Sequence, residues 1–310
     1  MQIFLYFCSM KRWIIAMRPW SFPVSAAPVI LTATYLMLRG YAVDWLLALW
    51  ALVGNMLFHA AGNLISDYYD FRKGVDTNPE VGGSAITGGS MTAHEVHVFG
   101  LVMLAVASVN GLLMMLFTGW ELLLYGAIGA FLAAFYPWFK FHALGDLDIL
   151  FTFGIIPTLG TAYAVLPEHP SIMGPEAYML CDALWVTLAF ATVTVAVLHA
   201  NNSRDAACDG NAKIRTFAML IGARASRIVY YLEVLMPVIW VSVCLAFGRM
   251  PWPMLCFALP TLVPAIGLIK RMSTLPAPEK IATLDVSTAQ YQLINTFLLT
   301  AGFIVCHFAL

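Results

Sequence analysis

Long apolar stretches separated by short polar ones dominate this sequence. A helix that crosses the hydrocarbon core of a bilayer needs about 20 mostly apolar residues, each rising about 1.5 Å. Nine stretches satisfy this condition, namely 20–38, 44–66, 95–117, 121–138, 147–166, 179–201, 226–247, 251–269 and 288–308. The pattern therefore predicts an all-α, polytopic membrane protein with about nine transmembrane helices. The gaps leave no room for a soluble domain, so 1–310 is predicted to be one transmembrane domain.

Composition agrees with a location in the lipid bilayer. Hydrophobic residues make up 61% of the chain and charged residues 11%, whereas soluble domains are roughly one-quarter charged. The six cysteines are scattered singly, which argues against a disulfide framework or a zinc site. Residues 1–8 lack the features of a signal peptide, and Met10 is an alternative start. We expect no nucleic-acid partner, and the oligomeric state is not readable.

The basic residues predict the orientation. With nine spans and an inside N-terminus, the outer loops hold only Arg39 and Arg249 of the 16 Lys and Arg residues. The inner stretches hold the other 14: Lys11, Arg12, Arg18, Arg72, Lys73, Lys140, Arg204, Lys213, Arg215, Arg224, Arg227, Lys270, Arg271 and Lys280. Because cytoplasmic loops are enriched in Lys and Arg, this distribution predicts an inside N-terminus and an outside C-terminus in the cell (inner) membrane.

Two groups of acidic residues follow the second and sixth segments. Asp67, Asp70 and Asp76 belong to the first group, and Asp205 and Asp209 belong to the second. The i,i+3 spacing of the first pair and the i,i+4 spacing of the last pair place each pair on one helix face. Four spans separate the two groups, so both segments run in the same direction. Both groups are therefore predicted at the cytoplasmic boundary of the membrane.

The chemistry of the two groups favours a bound cation. Carboxylates at this spacing repel one another, and they are costly to leave unpaired near lipid. Arg72, Lys73 and Arg204 offer partial compensation, but Mg²⁺ prefers oxygen ligands and is held by carboxylates together with substrate phosphates. Two facing groups could hold Mg²⁺ ions that bind a diphosphate leaving group. Solvated, polar-capped helix ends are the alternative, and the matching spacing, side and direction of the two groups argue against it.

These segments resemble the UbiA-type intramembrane prenyltransferase superfamily. Asp67, Asp70 and Asp76 match its signature Asn-Asp-x-x-Asp with a further Asp downstream, although Ser66 stands where the family usually has Asn. Residues 201–209 match its second signature, an Arg-Asp-x-x-x-Asp run after Asn-Asn. Further similar stretches are 18–19, 136–140, 144–147 and 212–222.

The resemblance implies a helical bundle around a central cavity, a Mg²⁺ cofactor, a prenyl diphosphate donor and an aromatic acceptor. It implies that Asp67, Asp70, Asp205 and Asp209 are catalytic and metal-binding, with Asp76 as a further metal ligand. The candidate diphosphate contacts are Arg18, Asn63, Arg72, Lys140, Asn202, Arg204 and Lys213. Alternatively, each cation serves only the positive-inside distribution of charge, and each Asn only makes a hydrogen bond at a helix end. The active site is expected to face the cytoplasm.

Residues 67–77 are most similar to the 1,4-dihydroxy-2-naphthoate polyprenyltransferases of menaquinone synthesis. A 4-hydroxybenzoate-like ring, a chlorin or a glycerol phosphate lipid remains an alternative acceptor, because the shared motifs do not determine the acceptor. A transporter is a second alternative, but transporter sites lie near the membrane midplane and these acids lie at one face. A structural or assembly protein would need no clustered acids.

Some intramembrane residues could have either a functional or a structural role. His59 and His199 could face the cavity and accept a proton, although a hydrogen-bonded interior histidine is commoner. Glu233 is an intramembrane acid and so a site candidate, or else makes an interhelical hydrogen bond. The glycine-rich loop 81–91 could cover the diphosphate. Five rings could line a prenyl tunnel or face lipid: Phe131, Phe135, Tyr136, Trp138 and Phe139.

Overall fold

The computed structural model describes residues 11–74 and 85–310, and this part of the chain contains nine helices long and apolar enough to cross a membrane. Their bounds are α1 Phe22–Leu38, α2 Trp45–Lys73, α3 Ala93–Thr118, α4 Leu122–Phe141, α5 Gly145–Val165, α6 Ala177–Asn211, α7 Phe217–Ala246, α8 Met254–Met272 and α9 Leu284–Ala309. Each helix overlaps one predicted segment. The predicted all-helical membrane fold is therefore confirmed.

Three helices are longer than predicted. The second segment was predicted to end at 66 and the sixth at 201, whereas α2 reaches Lys73 and α6 reaches Asn211. The seventh was predicted to begin at 226, whereas α7 begins at Phe217. Hydropathy ends a segment at its first charges, but a helix needs only its own backbone hydrogen bonds to continue. Both acidic groups therefore lie on helical turns wherever the structure describes them.

Local chemistry fixes the ends of α2 and the start of α3. The Asp44 side chain accepts hydrogen bonds from the first-turn amides of Leu46 and Leu47, which caps α2. Gly74 ends α2 with φ 70°, a left-handed conformation that glycine adopts without strain. Thr92 and Glu95 form a reciprocal capping box at the start of α3.

The helix ends form two rims on opposite sides of the bundle. On one rim, Arg12 contacts Glu95 at 3.2 Å, and the amide of Ala143 donates to the carbonyl of Arg215 at 2.8 Å. On the other, the Asp44 amide donates to the Val165 carbonyl at 2.9 Å. We call the first the acidic rim, because the C-terminal ends of α2 and α6 lie there, and the second the far rim. Neighbouring helices thus run in alternating directions, as the predicted topology requires.

One carboxylate joins three segments at the far rim. The buried Asp182, near the start of α6, forms ion pairs with both Arg39 and Arg249. Arg39 follows α1 and Arg249 lies between α7 and α8. These are the two cations predicted for the outer loops, so both are neutralised by one acid.

The helices differ in how much of each faces the protein interior. In the apolar span of α6, 67% of residues are buried, against 17% for α3. A helix that is apolar all round and mostly buried lies at the centre of a bundle, whereas α3 turns its leucines towards lipid. The second acidic group therefore lies on the central helix of the fold.

Two helices are irregular next to the acidic rim. The residues Phe151–Ile155 of α5 form a π-helical turn, just before Pro157, which lacks a backbone N–H. In α7, Gly222 has φ 74° and interrupts the helical conformation. The fifth predicted segment is thus distorted near its proline, whereas α4 stays helical through Pro137.

Candidate active site

One large cavity opens between the helices at the acidic rim, and we call it the main cavity. Its volume is about 750 Å³, within the range of about 300–1,000 Å³ typical of small-molecule sites. Side chains of α1, α2, α4, α5 and α6 line it, together with Asp285 from α9. Asp70 comes from the first acidic group, and Asp205 and Asp209 come from the second. The two acidic groups therefore meet at a common cavity.

The last turns of α2 bring two acids beside basic partners. The Lys140 ammonium lies 2.8 Å from Asp70 Oδ2, and the Ser66 hydroxyl donates to the same oxygen at 3.2 Å. Asp67 is buried and pairs with Arg18 Nη2 at 2.5 Å. Ser66, which occupies the position expected for Asn, thus orients Asp70 through its hydroxyl.

The end of α6 carries an ion-pair network. Arg204 contacts both carboxylate oxygens of Asp205 at 2.7 Å, and its Nη1 lies 2.8 Å from Asp285 Oδ2. Its Nη2 also donates to Asn201 Oδ1 at 2.6 Å. Bidentate contacts of this kind hold a guanidinium and a carboxylate in a fixed plane. Arg204 therefore joins α6 to α9 at the edge of the main cavity.

The acids of the main cavity have the donor set that a hard divalent cation requires. Asp70 is buried, and its Oδ1 accepts no hydrogen bond. A buried carboxylate oxygen without a donor is costly unless a cation or water satisfies it. Asp209, on α6, is also buried and lines the same cavity. Oxygen ligands from two helices fit Mg²⁺, which uses one or two carboxylates together with substrate phosphates.

The other predicted site residues are placed as follows. Asn63 lines the main cavity and donates to Ser21 and to the Met17 carbonyl, both at 3.2 Å. Asn202 is buried and donates a hydrogen bond to Asp146 Oδ1 at 3.2 Å. Within the described residues, the cavity lining includes Arg18, Lys140 and Arg204 but neither Arg72 nor Lys213. Asp76 lies outside the described residues.

Sequence reasoning did not select three charged residues of the lining as site residues. They are Lys73, Asp148 and Asp285. Lys73 directly follows Arg72 on α2, and its ammonium lies 5.2 Å from the ring centre of Phe141. Asp148 is buried, and its Oδ1 has no hydrogen-bond partner. An acidic or basic residue at the end of an apolar segment was the available signal for Lys73 and Asp148.

Away from the acidic rim the main cavity becomes apolar. Phe58, Phe153, Val24 and Val197 line this end, which we call the apolar end. The ring of His59 lies there and contacts the Ser25 hydroxyl at 3.1 Å and the Ser21 hydroxyl at 3.3 Å. A cavity that is charged at one end and apolar at the other suits a ligand with an anionic head and a hydrocarbon tail.

The aromatic residues of α4 divide between two environments. Tyr136 lines the main cavity, whereas Phe131, Phe135 and Trp138 are about half exposed on the lipid-facing side. Tyr136 therefore faces the cavity, where its role beside a prenyl chain stays a prediction, and the three exposed rings lie where lipid is expected.

Loop 81–91 is described only from residue 85 onwards. Ile86 and Met91 pack against Ala16 and Leu64, so this part of the loop lies against α2 and the segment that precedes α1. Residues 81–84 lie outside the described residues, and the proposed covering of the diphosphate stays a prediction.

The amino-acid sequence of this chain is similar to those of known proteins. The sequence profile of the UbiA prenyltransferase family matches residues 26–307. UbiA prenyltransferase domain-containing protein 1 of Danio rerio is 30% identical over 94% of this chain and 85% of its own length.

Two solved structures share the fold. The apo structure of a UbiA homolog from Aeropyrum pernix K1 superposes with a TM-score of 0.64 at 15% identity, covering 91% of this chain and 97% of that one. A UbiA homolog from Archaeoglobus fulgidus, bound to DMAPP and Mg²⁺, gives a TM-score of 0.58 at 12% identity over 93% and 99%. At these identities the likeness concerns the fold.

Proposed function

Since the chain belongs to the UbiA prenyltransferase family, we propose that it transfers a prenyl group from a Mg²⁺-bound prenyl diphosphate to an aromatic quinone precursor such as 1,4-dihydroxy-2-naphthoate. One observation carries the proposal. Two acid-bearing helix ends line the charged end of a single cavity, and the rest of that cavity is apolar. The homolog from Archaeoglobus fulgidus, whose structure holds DMAPP and Mg²⁺, supports the same donor class.

The carboxylates of the acidic rim would hold the metal. Asp70, Asp205 and Asp209 line the cavity, and Asp67 lies one turn before Asp70 on α2. Asp76 is proposed as a further ligand. Bound Mg²⁺ would neutralise the charge that grows on the departing diphosphate. Asp67 and Asp205 are in ion pairs with Arg18 and Arg204, so these two cations would become available to the diphosphate if the carboxylates held the metal.

The cations of the lining would bind the diphosphate itself. Arg18, Lys73, Lys140 and Arg204 surround the charged end and offer the donors that phosphate oxygens accept. As the carbon–oxygen bond to the diphosphate breaks, its electron pair stays on the diphosphate oxygen. These cations stabilise that oxygen while the prenyl carbon becomes electron-poor.

The rings and His59 would act on the organic halves of the reaction. The faces of Tyr136, Phe58 and Phe153 stabilise an allylic cation and exclude water from it. The π electrons of the acceptor ring form the new carbon–carbon bond, and that ring carbon then loses a proton. His59 is the proposed proton acceptor, because Ser21 and Ser25 fix its ring at the cavity wall.

An aromatic acceptor is favoured over a glycerol phosphate acceptor by the distribution of charge. Every Lys and Arg of the described lining comes from the acidic-rim ends of the helices, where the diphosphate would bind. The apolar end offers three rings and no described cation that would bind a second phosphate.

Purified protein in lipid nanodiscs, with Mg²⁺ and a radiolabelled prenyl diphosphate, tests both parts of the proposal. We expect labelled product and released diphosphate with naphthoate or benzoate acceptors, and none with a glycerol phosphate lipid or a chlorin. Asp70→Asn and Asp205→Asn should lower turnover by about 100-fold or more, since each removes a ligand charge worth several kcal/mol. Asp182→Asn is the matched control, because it makes the same change at the far rim.

Different results would contradict the proposed metal site and the proposed aromatic acceptor. Wild-type turnover in folded Asp70→Asn and Asp205→Asn would exclude the assigned metal site. Product with the glycerol phosphate lipid alone would leave the metal site intact and overturn the aromatic acceptor.

A further inference from the structure

Three ionisable side chains from three helices meet in the interior, next to the main cavity but outside its lining. They are Asp146 of α5, His199 of α6 and Glu233 of α7. One ligand atom from each lies within 4.8 Å of the other two. His199 is completely buried, and Asp146 and Glu233 are 8% and 9% exposed. We call these three residues the buried triad.

No basic side chain of the described chain compensates the triad. Asp146 and Glu233 both lie near His199, which is charged only when protonated, and neither forms an ion pair with a described Lys or Arg. With a neutral imidazole, the triad carries two negative charges in a region of low dielectric constant. Burial of two unpaired carboxylates costs several kcal/mol each, so the triad requires two positive charges.

The donor atoms of the triad are left without hydrogen bonds. Both ring nitrogens of His199, Asp146 Oδ2 and Glu233 Oε2 are buried and have no hydrogen-bond partner. His199 Nδ1 lies 3.3 Å from Asp146 Oδ2 and 3.5 Å from Glu233 Oε1. A charge-assisted N–H···O bond is shorter, at about 2.7–2.9 Å, and one N–H cannot align with two acceptors.

The two distances from His199 Nδ1 to the carboxylate oxygens, 3.3 Å and 3.5 Å, instead match ligands of a shared ion. Zn²⁺ binds nitrogen and oxygen at about 2.0–2.2 Å in a tetrahedron, which places neighbouring ligand atoms about 3.3–3.5 Å apart. Imidazole is a ligand of transition metals, and Mg²⁺ keeps to oxygen. We propose that Asp146, His199 and Glu233 bind a divalent transition-metal ion of the Zn²⁺ type, separate from the Mg²⁺ site. A divalent ion makes the triad neutral.

Such an ion would join α5, α6 and α7 below the acidic rim. Asn202 donates to Asp146 Oδ1, which leaves Oδ2 turned to His199 and fixes the carboxylate. A hydrogen-bonded ligand of this kind is typical of metal sites, where outer partners orient the ligands. The ion is therefore expected to be structural, holding the turn of α6 that precedes Asp205.

Metal analysis of the whole protein tests the site without an activity assay. Purified wild-type protein is stripped with a chelator, incubated with Zn²⁺ in the presence of excess Mg²⁺, and desalted. We expect a single equivalent of zinc by mass spectrometry. His199→Ala and Glu233→Gln should lose it, whereas Asp182→Asn, an equally buried carboxylate with arginine partners, and Asp70→Asn should keep it.

Spectroscopy on the wild type covers the case in which the variants do not fold. Co²⁺ in place of Zn²⁺ should give visible absorption of tetrahedral intensity, and X-ray absorption at the zinc edge should detect one imidazole nitrogen among oxygens. Wild-type protein without bound zinc would overturn the proposal, as would equal zinc in folded His199→Ala. Two protons would then neutralise the triad. Either result leaves the prenyl transfer assay unaffected.

Discussion

Adjacent residues at the end of α2 differ in what they contact. Lys73 lines the main cavity, whereas Arg72 lies over the ring of Tyr68, with its guanidinium carbon 5.9 Å from the ring centre. The sequence pointed to Arg72, because it cannot tell which of two consecutive cations faces inwards. The 100° rotation between helix neighbours decides this, and it depends on how α2 is seated against α4.

Replacement of these two cations should therefore have unequal effects. Lys73→Met removes a charge-assisted contact to the diphosphate, worth about 1.5–3 kcal/mol, and should raise KM for the prenyl diphosphate by about 10-fold to 100-fold. Arg72→Met should change KM by less than about 3-fold, since surface contacts contribute less than about 1 kcal/mol. Steady-state kinetics at saturating Mg²⁺ gives both values. Equal effects would show that cavity lining does not identify diphosphate contacts.

The buried triad illustrates a second limit at the residue scale. The sequence indicated His199 and Glu233 as separate intramembrane candidates, each with a plainer alternative. Their approach to Asp146 arises from the packing of three separate helices, α5, α6 and α7. No local spacing encodes such a meeting, whereas the i,i+3 and i,i+4 acid pairs were readable because each lies on one helix.

At the scale of elements, the apolar cores of all nine helices were predicted and several helix ends were not. Apolar length is a local property, so segments such as 95–117 closely match α3. The extensions of α2 and α6 make contacts with neighbouring helices, including the Asp70–Lys140 ion pair and the Asn202–Asp146 hydrogen bond. Polar helical turns buried by neighbouring helices look like loops when only hydropathy is considered.

The contact between α2 and α3 controls where the first acidic group lies. A Cβ at Gly100 would lie 3.1 Å from Leu64 Cβ and 3.3 Å from the Ile65 backbone nitrogen, just before the acidic turn. Gly100→Val should therefore separate the helices, destabilise the protein by about 1–3 kcal/mol and lower turnover. Thermal unfolding and activity of the same preparation measure both effects.

Gly111→Val provides the matched control on α3. No atom lies within 4 Å of a Cβ at that position, and the change in helix propensity is the same. If Gly111→Val reduced stability and activity as much as Gly100→Val, helix propensity would explain the result and close packing of α2 on α3 would not.

At the scale of the whole molecule, the two rims match the predicted distribution of charge. The predicted inner cations lie at the acidic-rim ends of the described helices, and Arg39 and Arg249 lie at the far rim. Of the two rims, one is expected to face the cytoplasm. The excess of Lys and Arg predicts that it is the acidic rim.

Two native cysteines of α6 can test this orientation. Cys181 is exposed near the far rim, and Cys208 is exposed near the acidic rim. In cells expressing single-cysteine variants, a membrane-impermeant maleimide should label Cys181 from outside and Cys208 only after the membrane is opened. Prior addition of prenyl diphosphate and Mg²⁺ should slow labelling of Cys208, because it lines the main cavity. The reverse pattern in intact cells would invert the topology.

The lining of the main cavity also has a thermodynamic consequence. Its described side chains include five aspartates and four Lys or Arg residues, a formal charge of −1. A diphosphate entering alone would make this desolvated space strongly negative, and divalent cations entering alone would make it positive. Their joint entry leaves the net charge near zero, so each ligand should increase the affinity for the other by the same factor. The nearly neutral lining of the cavity therefore predicts that the donor and Mg²⁺ bind cooperatively.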